Sequence, residues 1–299
     1  MNQDTKNFAS CEILCPHSIF FCNFVFSTVY ISTTETTLHY YLFHIFSGEP
    51  FSMNILVGLS QVPDTTTKIV IGADNKAIDA KGVKYIMNPY DEFALEEALR
   101  LKEKNGGTVT AVTVGGDTAK EVLRTALALQ VDKAIFIKAD SADSFVIASN
   151  LAAVAQESKP DVILFGRQSI DYDSFQVAPM VAELLDMPSV TMTSKLEISG
   201  TSLTAERDIE GGKETVSASL PAVISAQKGL NEPRYPKLPD IMKAKSKPIE
   251  ERAASATSAR TEIVSMELPA AKGKGKIFSD SDGDISELVK LLHEEAKVI

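Results

Sequence analysis

The chain has 299 residues, a formal net charge of −10 at pH 7 and an isoelectric point near 5.0. This length allows one large domain or two smaller ones, each with a real hydrophobic core. The acidic balance argues against a protein that wraps nucleic acid, which requires a basic surface, so we expect no nucleic-acid partner.

The first 52 residues differ in composition from the rest. They contain all three cysteines, Cys11, Cys15 and Cys22, and three of the four histidines. Polar residues interrupt their apolar stretch at 18–31, so it predicts neither a secretory signal nor a stable membrane insertion. The cysteines form no CxxC pair, which disfavours a zinc site. We interpret residues 1–52 as an extension outside the fold and expect the natural protein to start at Met53.

Short apolar runs alternate with amphipathic segments in the next part of the chain. Strands are predicted at 54–59, 108–114, 133–137 and 162–165, helices at 92–104, 117–129, 144–157 and from 175 onward, and a short hairpin at 68–78. Strands that alternate with helices predict a doubly wound, mostly parallel α/β sheet.

Four loops follow or border the carboxyl ends of these strands. They lie after Gly58, before Pro89, after Val114 and after Phe165. Ligands of open parallel sheets bind at this edge, and helix N-termini there attract phosphate. The alternative for each single loop is an ordinary helix cap, by Asn88 in one case and by Asp173 or Ser174 in another. The convergence of four loops favours a nucleotide crevice.

Catalytic signatures are absent from the sequence. It has no GxxxxGK[ST], GxSxG or HExxH pattern, and His293 lies near the C-terminus. We therefore predict a nucleotide that is bound but not turned over, with no catalytic residue and no metal site.

The pattern changes beyond Pro188. Short strands at 190–192, 196–198, 202–208, 214–217 and 222–226 predict an antiparallel meander added to the sheet. Three prolines predict that 229–247 is an extended exposed loop, whose apolar residues and basic rim suit an acidic partner. The alternative is a loop folded onto its own core.

The last fifty residues predict an arm. Residues 250–276 are typical of a linker with at most one strand, at 261–266, and an amphipathic helix is predicted at 284–297. We expect residues 53–249 to form the nucleotide-binding domain, and residues 250–299 to pack on another chain.

Several motifs occur in an order that has a known counterpart. They are MNPYDE at 87–92, GRQSIDYDSFQV at 166–177, RDIEGGKETVSASLPAVISA at 207–226 and LNEPRYPKLPDIMKAK at 230–245. From Met53 onward the chain thereby resembles the beta subunit of electron-transfer flavoproteins. The resemblance implies a fold like that of adenine-nucleotide alpha hydrolases, with an added meander and an extended C-terminal arm.

The resemblance also implies a function. The beta subunit would form a heterodimer with an alpha subunit that holds most of the FAD, and would bury an AMP with a structural role. It would be an electron carrier, not an enzyme, taking electrons from acyl-CoA dehydrogenases in fatty acid beta-oxidation to a membrane quinone oxidoreductase, here in a bacterial cytoplasm. By matching positions the AMP contacts would be Gly58, Asn88, Pro89, Tyr90, Asp91, Val114, Gly166, Arg167, Gln168, Ser169, Ile170, Asp171, Tyr172, Asp173, Ser174, Phe175, Gln176 and Val177.

The exposed loop matches the recognition loop of that family. Leu238 would be the anchor inserted into the dehydrogenase, together with Tyr235, Pro239, Ile241, Met242 and Lys243. Lys243 falls where some relatives carry a methylated lysine.

Three alternatives stay open. Some relatives hold a second FAD in place of AMP and bifurcate electrons, but Tyr172 and Phe175 depart from the small residues associated with that loop and favour AMP. A free-standing nucleotide-binding sensor has no use for an exposed loop and a long arm, and a nucleotide-hydrolysing enzyme lacks its motifs.

Overall fold

The structure is a computed structural model that describes residues 52–139, 143–256, 258–270 and 275–299. The predictions for the N-terminal extension, including the disfavoured zinc site, lie outside the described residues apart from Ser52. Among the described residues, no helix is long and apolar enough to cross a membrane.

A nine-stranded sheet forms the centre of the domain. Its strands are β1 Met53–Gly58, β4 Gly107–Gly115, β5 Lys133–Lys138, β6 Val162–Gly166, β7 Ser189–Ser199, β8 Ser202–Ile209, β9 Gly212–Ser219, β10 Ala222–Ala226 and β11 Glu250–Ala253. They lie in the order β11-β5-β4-β1-β6-β10-β7-β8-β9, parallel from β11 to β7 and antiparallel through β8 and β9. The predicted fold class is confirmed. A separate antiparallel pair joins β2 Gln61–Pro63 to β3 Tyr85–Met87.

Helices connect the parallel strands. They are α1 Pro89–Asn105, α2 Lys120–Ala128, α3 Ser144–Ser158, α4 Val177–Leu185, α5 Leu238–Ala244 and α6 Asp282–Glu294, with a 3₁₀ turn at Asp117–Ala119. The four crossover helices α1 to α4 lie close to the positions that the apolar periodicity predicts.

The crossover helices divide between the two faces of the sheet because side chains alternate along each strand. On one face, Ile55 and Val57 of β1 share a core with Leu95 of α1 and Leu123 of α2. On the other face, Leu56 shares a core with residues of α3 and α4. From β1 to β5 the chain crosses on one face of the sheet, through α1 and α2. It then crosses on the other face, through α3 to β6 and through α4 to β7. The strand order reverses between β1 and β6, and this switch point is where the fold places its crevice.

Four sequence predictions require correction. Residues 190–192 and 196–198 form one strand, β7, interrupted by an irregularity between Thr193 and Lys195. The predicted hairpin at 68–78 contains a single bridge, between Ile71 and Ile78, because its strands find no further partner.

The other two corrections concern the C-terminal part. The predicted strand at 261–266 is absent, although its β-branched residues favour one, and the strand instead forms at Glu250–Ala253, where β5 offers a free edge. The loop at 229–247 is not wholly extended, because α5 forms within it. Pro239 stands at the start of this helix, with Asp240 in its first turn and Lys243 in its last, an arrangement that favours a helix.

Candidate functional site

A cavity of about 340 Å³ lies at the carboxyl ends of the central strands. Gly58 ends β1, Val114 and Gly115 end β4, and Gly166 ends β6, and all of them line this cavity. The strand order therefore brings together three of the four loops that the sequence predicted to converge. The fourth loop leads into α1, whose first turn contributes Asp91.

Most of the predicted nucleotide contacts line this crevice. They are Gly58, Asp91, Val114, Gly166, Arg167, Gln168, Ser169, Asp171, Tyr172, Ser174, Phe175 and Val177. The remaining predicted residues, Asn88, Pro89, Tyr90, Ile170, Asp173 and Gln176, do not line it.

The crevice also has walls that the predicted site list leaves out. They are Leu59, Ser60, Gln61, Gly115, Gly116, Ala119, Ala139, Ser144, Ile147, Leu151, Phe165 and Ala178. Ser144, Ile147 and Leu151 come from α3, which the sequence marks only as a crossover helix. Its contribution could have been predicted from its position in the chain. The helix follows β5, whose carboxyl end lies at the same edge of the sheet.

Two glycines of the crevice are required by the protein's own packing. A Cβ on Gly166 would lie 2.4 Å from Asp91 Oδ1 and 2.6 Å from the backbone carbon of Tyr90. A Cβ on Gly58 would lie 2.2 Å from the ring of Phe165. Such distances are far inside van der Waals contact. At Gly166 the start of α1 and the end of β6 approach too closely for a side chain, and at Gly58 the ring of Phe165 fills the space that a side chain would need.

Asp91 is buried at this approach. Its Oδ2 accepts hydrogen bonds from the Ser60 N–H at 2.7 Å and the Ser60 hydroxyl at 2.6 Å, and its Oδ1 accepts one from the Gly166 N–H at 3.0 Å. Burial raises the pKa of Asp91 to about 6, although the bonds from Ser60 and Gly166 favour the charged form. The carboxylate thus joins the start of α1 to the loops after β1 and β6.

Asn88 reinforces the same junction from outside the cavity. Its backbone N–H donates to the Ser60 carbonyl at 3.0 Å, and its Nδ2 donates to the Gln168 carbonyl at 2.8 Å. The residue stands at the N-cap position of α1, as predicted, but its side chain makes no cap bond. Asn88 is thus the N-cap residue that the sequence predicts, but its side chain bonds to the loop after β6 and not to the first turn of α1.

The loop between β6 and α4 is held together by its own polar groups. Arg167 donates to Gln168 Oε1, and Gln168 Nε2 donates to Asp173 Oδ1 at 3.0 Å. The Ser169 N–H donates to the Ser174 carbonyl, and the Ser174 hydroxyl lies 2.8 Å from that of Ser144 on α3. Neither Asp173 nor Ser174 caps α4, so the capping alternative is wrong for this loop.

The electrostatics of the crevice suit an anion. Val177 and Ala178, the first two residues of α4, line the cavity, and the helix has no side-chain cap that would occupy its first N–H groups. The Arg167 guanidinium lies 5.2 Å from the Tyr90 ring and is hydrogen-bonded to the side-chain oxygens of Gln168 and Gln227. No carboxylate of the described residues forms an ion pair with it.

A second candidate surface is the loop at 229–247. All of its predicted recognition residues are exposed, including Tyr235 at 92% and Leu238 at 73% of their surface. The loop is nevertheless firmly attached at its base. Arg234 pairs with Glu96 at 2.8 Å and with Glu103 at 2.5 Å, both on α1. The alternative of a loop folded onto its own core is not what the structure shows for these side chains.

Buried groups of α1 and α2 hold the two ends of this loop. Burial by itself raises the pKa of Glu96, but hydrogen bonds from Arg234 and Arg100 bring it below its ordinary value. Asn231 Nδ2 donates to Glu97 at 2.9 Å. At the far end, Arg124 of α2 donates to the Ala244 carbonyl at 2.9 Å, so α5 rests on α2.

The C-terminal arm crosses α3 before it becomes exposed. Asn150 Oδ1 accepts from the Ser255 N–H at 2.7 Å, and Asp143 Oδ2 accepts from the Thr261 N–H at 2.8 Å. Beyond this anchor, α6 carries an apolar stripe that includes Ile285, Leu288 and Val289, and the helix has no buried residue.

Known proteins share these features of sequence. A family model described as "Electron transfer flavoprotein domain" matches residues 76–257. "Electron transfer flavoprotein subunit beta" of Bacillus subtilis is 46% identical over 259 residues, which span 83% of this chain and 100% of that protein. The proteins of the same name from Bradyrhizobium diazoefficiens, at 39% over 83% of this chain and 100% of the relative, and from Homo sapiens, at 42% over 66% and 80%, are similar too.

Proposed function

Because the chain belongs to the beta subunits of the electron transfer flavoproteins, we propose that it forms a heterodimer with an alpha subunit and that this complex carries electrons on FAD. The alpha subunit would hold most of the flavin, and FAD would supply the redox chemistry when bound. The complex would take electrons from acyl-CoA dehydrogenases of fatty acid beta-oxidation and pass them to a quinone oxidoreductase. We place it in the bacterial cytoplasm.

The crevice is the observation that carries this proposal. We propose that it holds AMP, with the phosphate at the N-terminus of α4 and near Arg167. The exposed rings of Tyr172 and Phe175 at the mouth offer aromatic surface against which adenine can stack. In this role the residues bind and orient a nucleotide, and no group of the crevice needs to transfer a proton.

The size of the crevice supports AMP over a second FAD. Ligand pockets generally measure about 300 to 1,000 Å³, and this cavity of about 340 Å³ is near the lower limit. A mononucleotide fits such a volume better than a dinucleotide, which favours a single-flavin carrier over an electron-bifurcating complex.

The exposed loop is proposed as the contact for the electron-donating dehydrogenase, with Leu238 as its anchor. Its apolar side chains stand on a base that ion pairs fix to α1, so little ordering is needed when a partner binds. A free-standing nucleotide sensor would not need this surface or the exposed stripe of α6.

Nucleotide content tests the proposal directly. The chain is co-expressed with its alpha subunit, the purified complex is denatured, and FAD and AMP are quantified by chromatography. One FAD and one AMP per heterodimer support the single-flavin carrier. Two FAD and no AMP indicate a bifurcating complex, and a colourless homo-oligomer with bound nucleotide indicates a sensor.

A further inference from the structure

The buried carboxylate of Asp91 connects the two loops that lie on either side of the switch point. Ser60 follows β1 and Gly166 ends β6, and both residues line the crevice. Three donors from these two loops converge on the carboxylate, at 2.6, 2.7 and 3.0 Å. Both oxygens are therefore occupied by the protein, although Asp91 itself lines the cavity.

Gly166 lies directly against Asp91 and its backbone. The added Cβ at Gly166 would lie 2.7 Å from the Asp91 N–H nitrogen as well as 2.4 Å from its Oδ1. The glycine thus exists to let the loop of β6 reach Asp91. The hydrogen bonds around Asp91 therefore form only when the loops after β1 and β6 are this close together.

Neutral groups alone compensate the charge of Asp91 in the described part of the chain. The loop after β1 presents the Ser60 N–H and hydroxyl, α1 presents Asn88, and β6 presents the Gly166 N–H. Tyr90 and Glu92 flank Asp91 on α1, and Arg167, the charged residue beside Gly166, is bonded to Gln168 and Gln227. No lysine, arginine or histidine of the described residues forms an ion pair with Asp91.

We propose that ionised Asp91 is a positioning residue that holds the loops of β1 and β6 at the spacing needed for nucleotide binding, and that its protonation loosens the crevice. This inference rests on the proposed AMP site. The carboxylate accepts all three donors without competition. A carboxylic acid or an amide carries hydrogens of its own, so at least one donor loses its acceptor and the loops are no longer held on both sides.

The test compares three full-length proteins: the wild type, Asp91→Asn and Glu92→Gln. Glu92→Gln is the matched control. Glu92 is exposed, and its substitution removes the same charge from the same first turn of α1. AMP and adenosine are titrated into each protein by calorimetry from pH 5 to pH 8. Adenosine is included because a phosphate itself titrates near pH 6.

We expect Asp91→Asn to bind both ligands about tenfold more weakly than the wild type at pH 7.5, the loss typical of one hydrogen bond to a charged group. Wild-type adenosine affinity falls by a similar factor between pH 8 and pH 5. In Asp91→Asn it does not change with pH, and Glu92→Gln follows the wild type.

Amide hydrogen exchange supplies a readout that needs no ligand. The Ser60 and Gly166 amides exchange faster in Asp91→Asn than in Glu92→Gln. Wild-type affinity together with wild-type protection of both amides in Asp91→Asn overturns the inference. If no protein binds AMP at any pH, the proposed AMP site is wrong, and the exchange of these two amides alone decides whether Asp91 holds the loops.

A less disruptive substitution tests the same hydrogen bonds in case Asp91→Asn does not fold. Ser60→Ala removes one of the three donors and keeps the carboxylate, so we expect about a fivefold loss of affinity with the pH dependence retained. A Ser60→Ala protein that binds like the wild type at every pH contradicts the proposal.

Discussion

Gly166 lies where two loops of the crevice meet with no space between them. An alanine here would bring its Cβ against backbone atoms of Tyr90 and Asp91, which cannot move as a flexible side chain can. Gly166 is therefore required by the packing of the protein itself, whichever ligand the crevice holds.

We expect Gly166→Ala to lower the free energy of unfolding by about 1–3 kcal/mol, because overpacking displaces backbone. AMP affinity falls with it, since the same loops line the crevice. Gly212→Ala is the matched control, because no atom lies within 4 Å of its added Cβ. Urea denaturation measures the free energy of unfolding of the two variants. An equal loss in both contradicts the steric argument.

Asp91 also makes stability depend on pH. Its pKa in the folded protein is about 6, against 3.8 for the ordinary group, so the folded state binds the proton more tightly than the unfolded state. The contribution of Asp91 to stability is therefore fully present below about pH 4 and is lost as pH rises through 6, by on the order of 3 kcal/mol. The unfolding free energy of the wild type minus that of Asp91→Asn should decline across this window. A difference that is constant from pH 4 to pH 7 contradicts the assignment.

The two effects of Asp91 have opposite signs. Acid relieves the cost of a buried charge and stabilises the whole fold, while it removes an acceptor from the crevice. At neutral pH the ionised carboxylate of Asp91 therefore lowers the stability of the fold, while in our proposal it holds the two loops of the crevice in place.

At the scale of elements, the exposed loop at 229–247 depends on ion pairs with α1. Arg234 contacts Glu96, whose side chain is only 3% exposed, and the more exposed Glu103. We expect Arg234→Gln to reduce the free energy of unfolding by about 1–3 kcal/mol, because a largely buried carboxylate loses a partner. The control is Arg252→Gln, whose partners Glu157 and Glu250 are exposed, with an expected cost of about 0.5 kcal/mol or less. Equal denaturation midpoints for the two variants would show that burial of Glu96 is unimportant.

We expect the exposed side chains of α5 to matter for electron transfer with a partner and not for the stability of the chain. Leu238→Ala should leave the free energy of unfolding within about 0.5 kcal/mol of the wild type, since the side chain is 73% exposed. The rate of electron transfer from the dehydrogenase to the flavin should fall at least about tenfold, as for a binding anchor worth about 2 kcal/mol. Leu184→Ala on α4 is the control with an exposed leucine elsewhere. Unchanged transfer kinetics in Leu238→Ala would remove the anchor role.

At the scale of the whole molecule, α6 buries none of its residues against its own domain. The apolar stripe of α6 remains exposed, and an exposed stripe on an amphipathic helix is typical of an interaction surface. We propose that it packs on the alpha subunit.

The double variant Leu288→Ser and Val289→Ser should leave the stability of the isolated chain within about 0.5 kcal/mol. Its affinity for the alpha subunit should fall at least about tenfold, because two apolar side chains no longer leave water on binding. Lys290→Ser, on the opposite face of α6, should bind normally. Titration with the alpha subunit measures the affinity of the two variants. Normal assembly of the double variant contradicts the proposed contact.

The sequence by itself determined the fold class and the edge of the sheet where the crevice lies. Apolar periodicity is a local property, so the alternation of β1, β4, β5 and β6 with their helices could be read directly. It also marked the exposed loop, because three prolines and apolar residues within a basic segment are unusual in a core. The chain motifs identified the family, which the comparisons confirm.

Only the tertiary structure decided which groups occupy the junction. Three contacts show this: the side chain of Asn88 bonds to Gln168 and not to the first turn of α1, Gly58 makes room for Phe165, and Asp91 receives donors from Ser60 and Gly166. All of them join residues at least 31 positions apart in the chain. The same holds for β11, which forms where β5 has a free edge and not where β-branched residues are densest. Local propensity cannot anticipate such choices, because the competing partners become neighbours only after the sheet has formed.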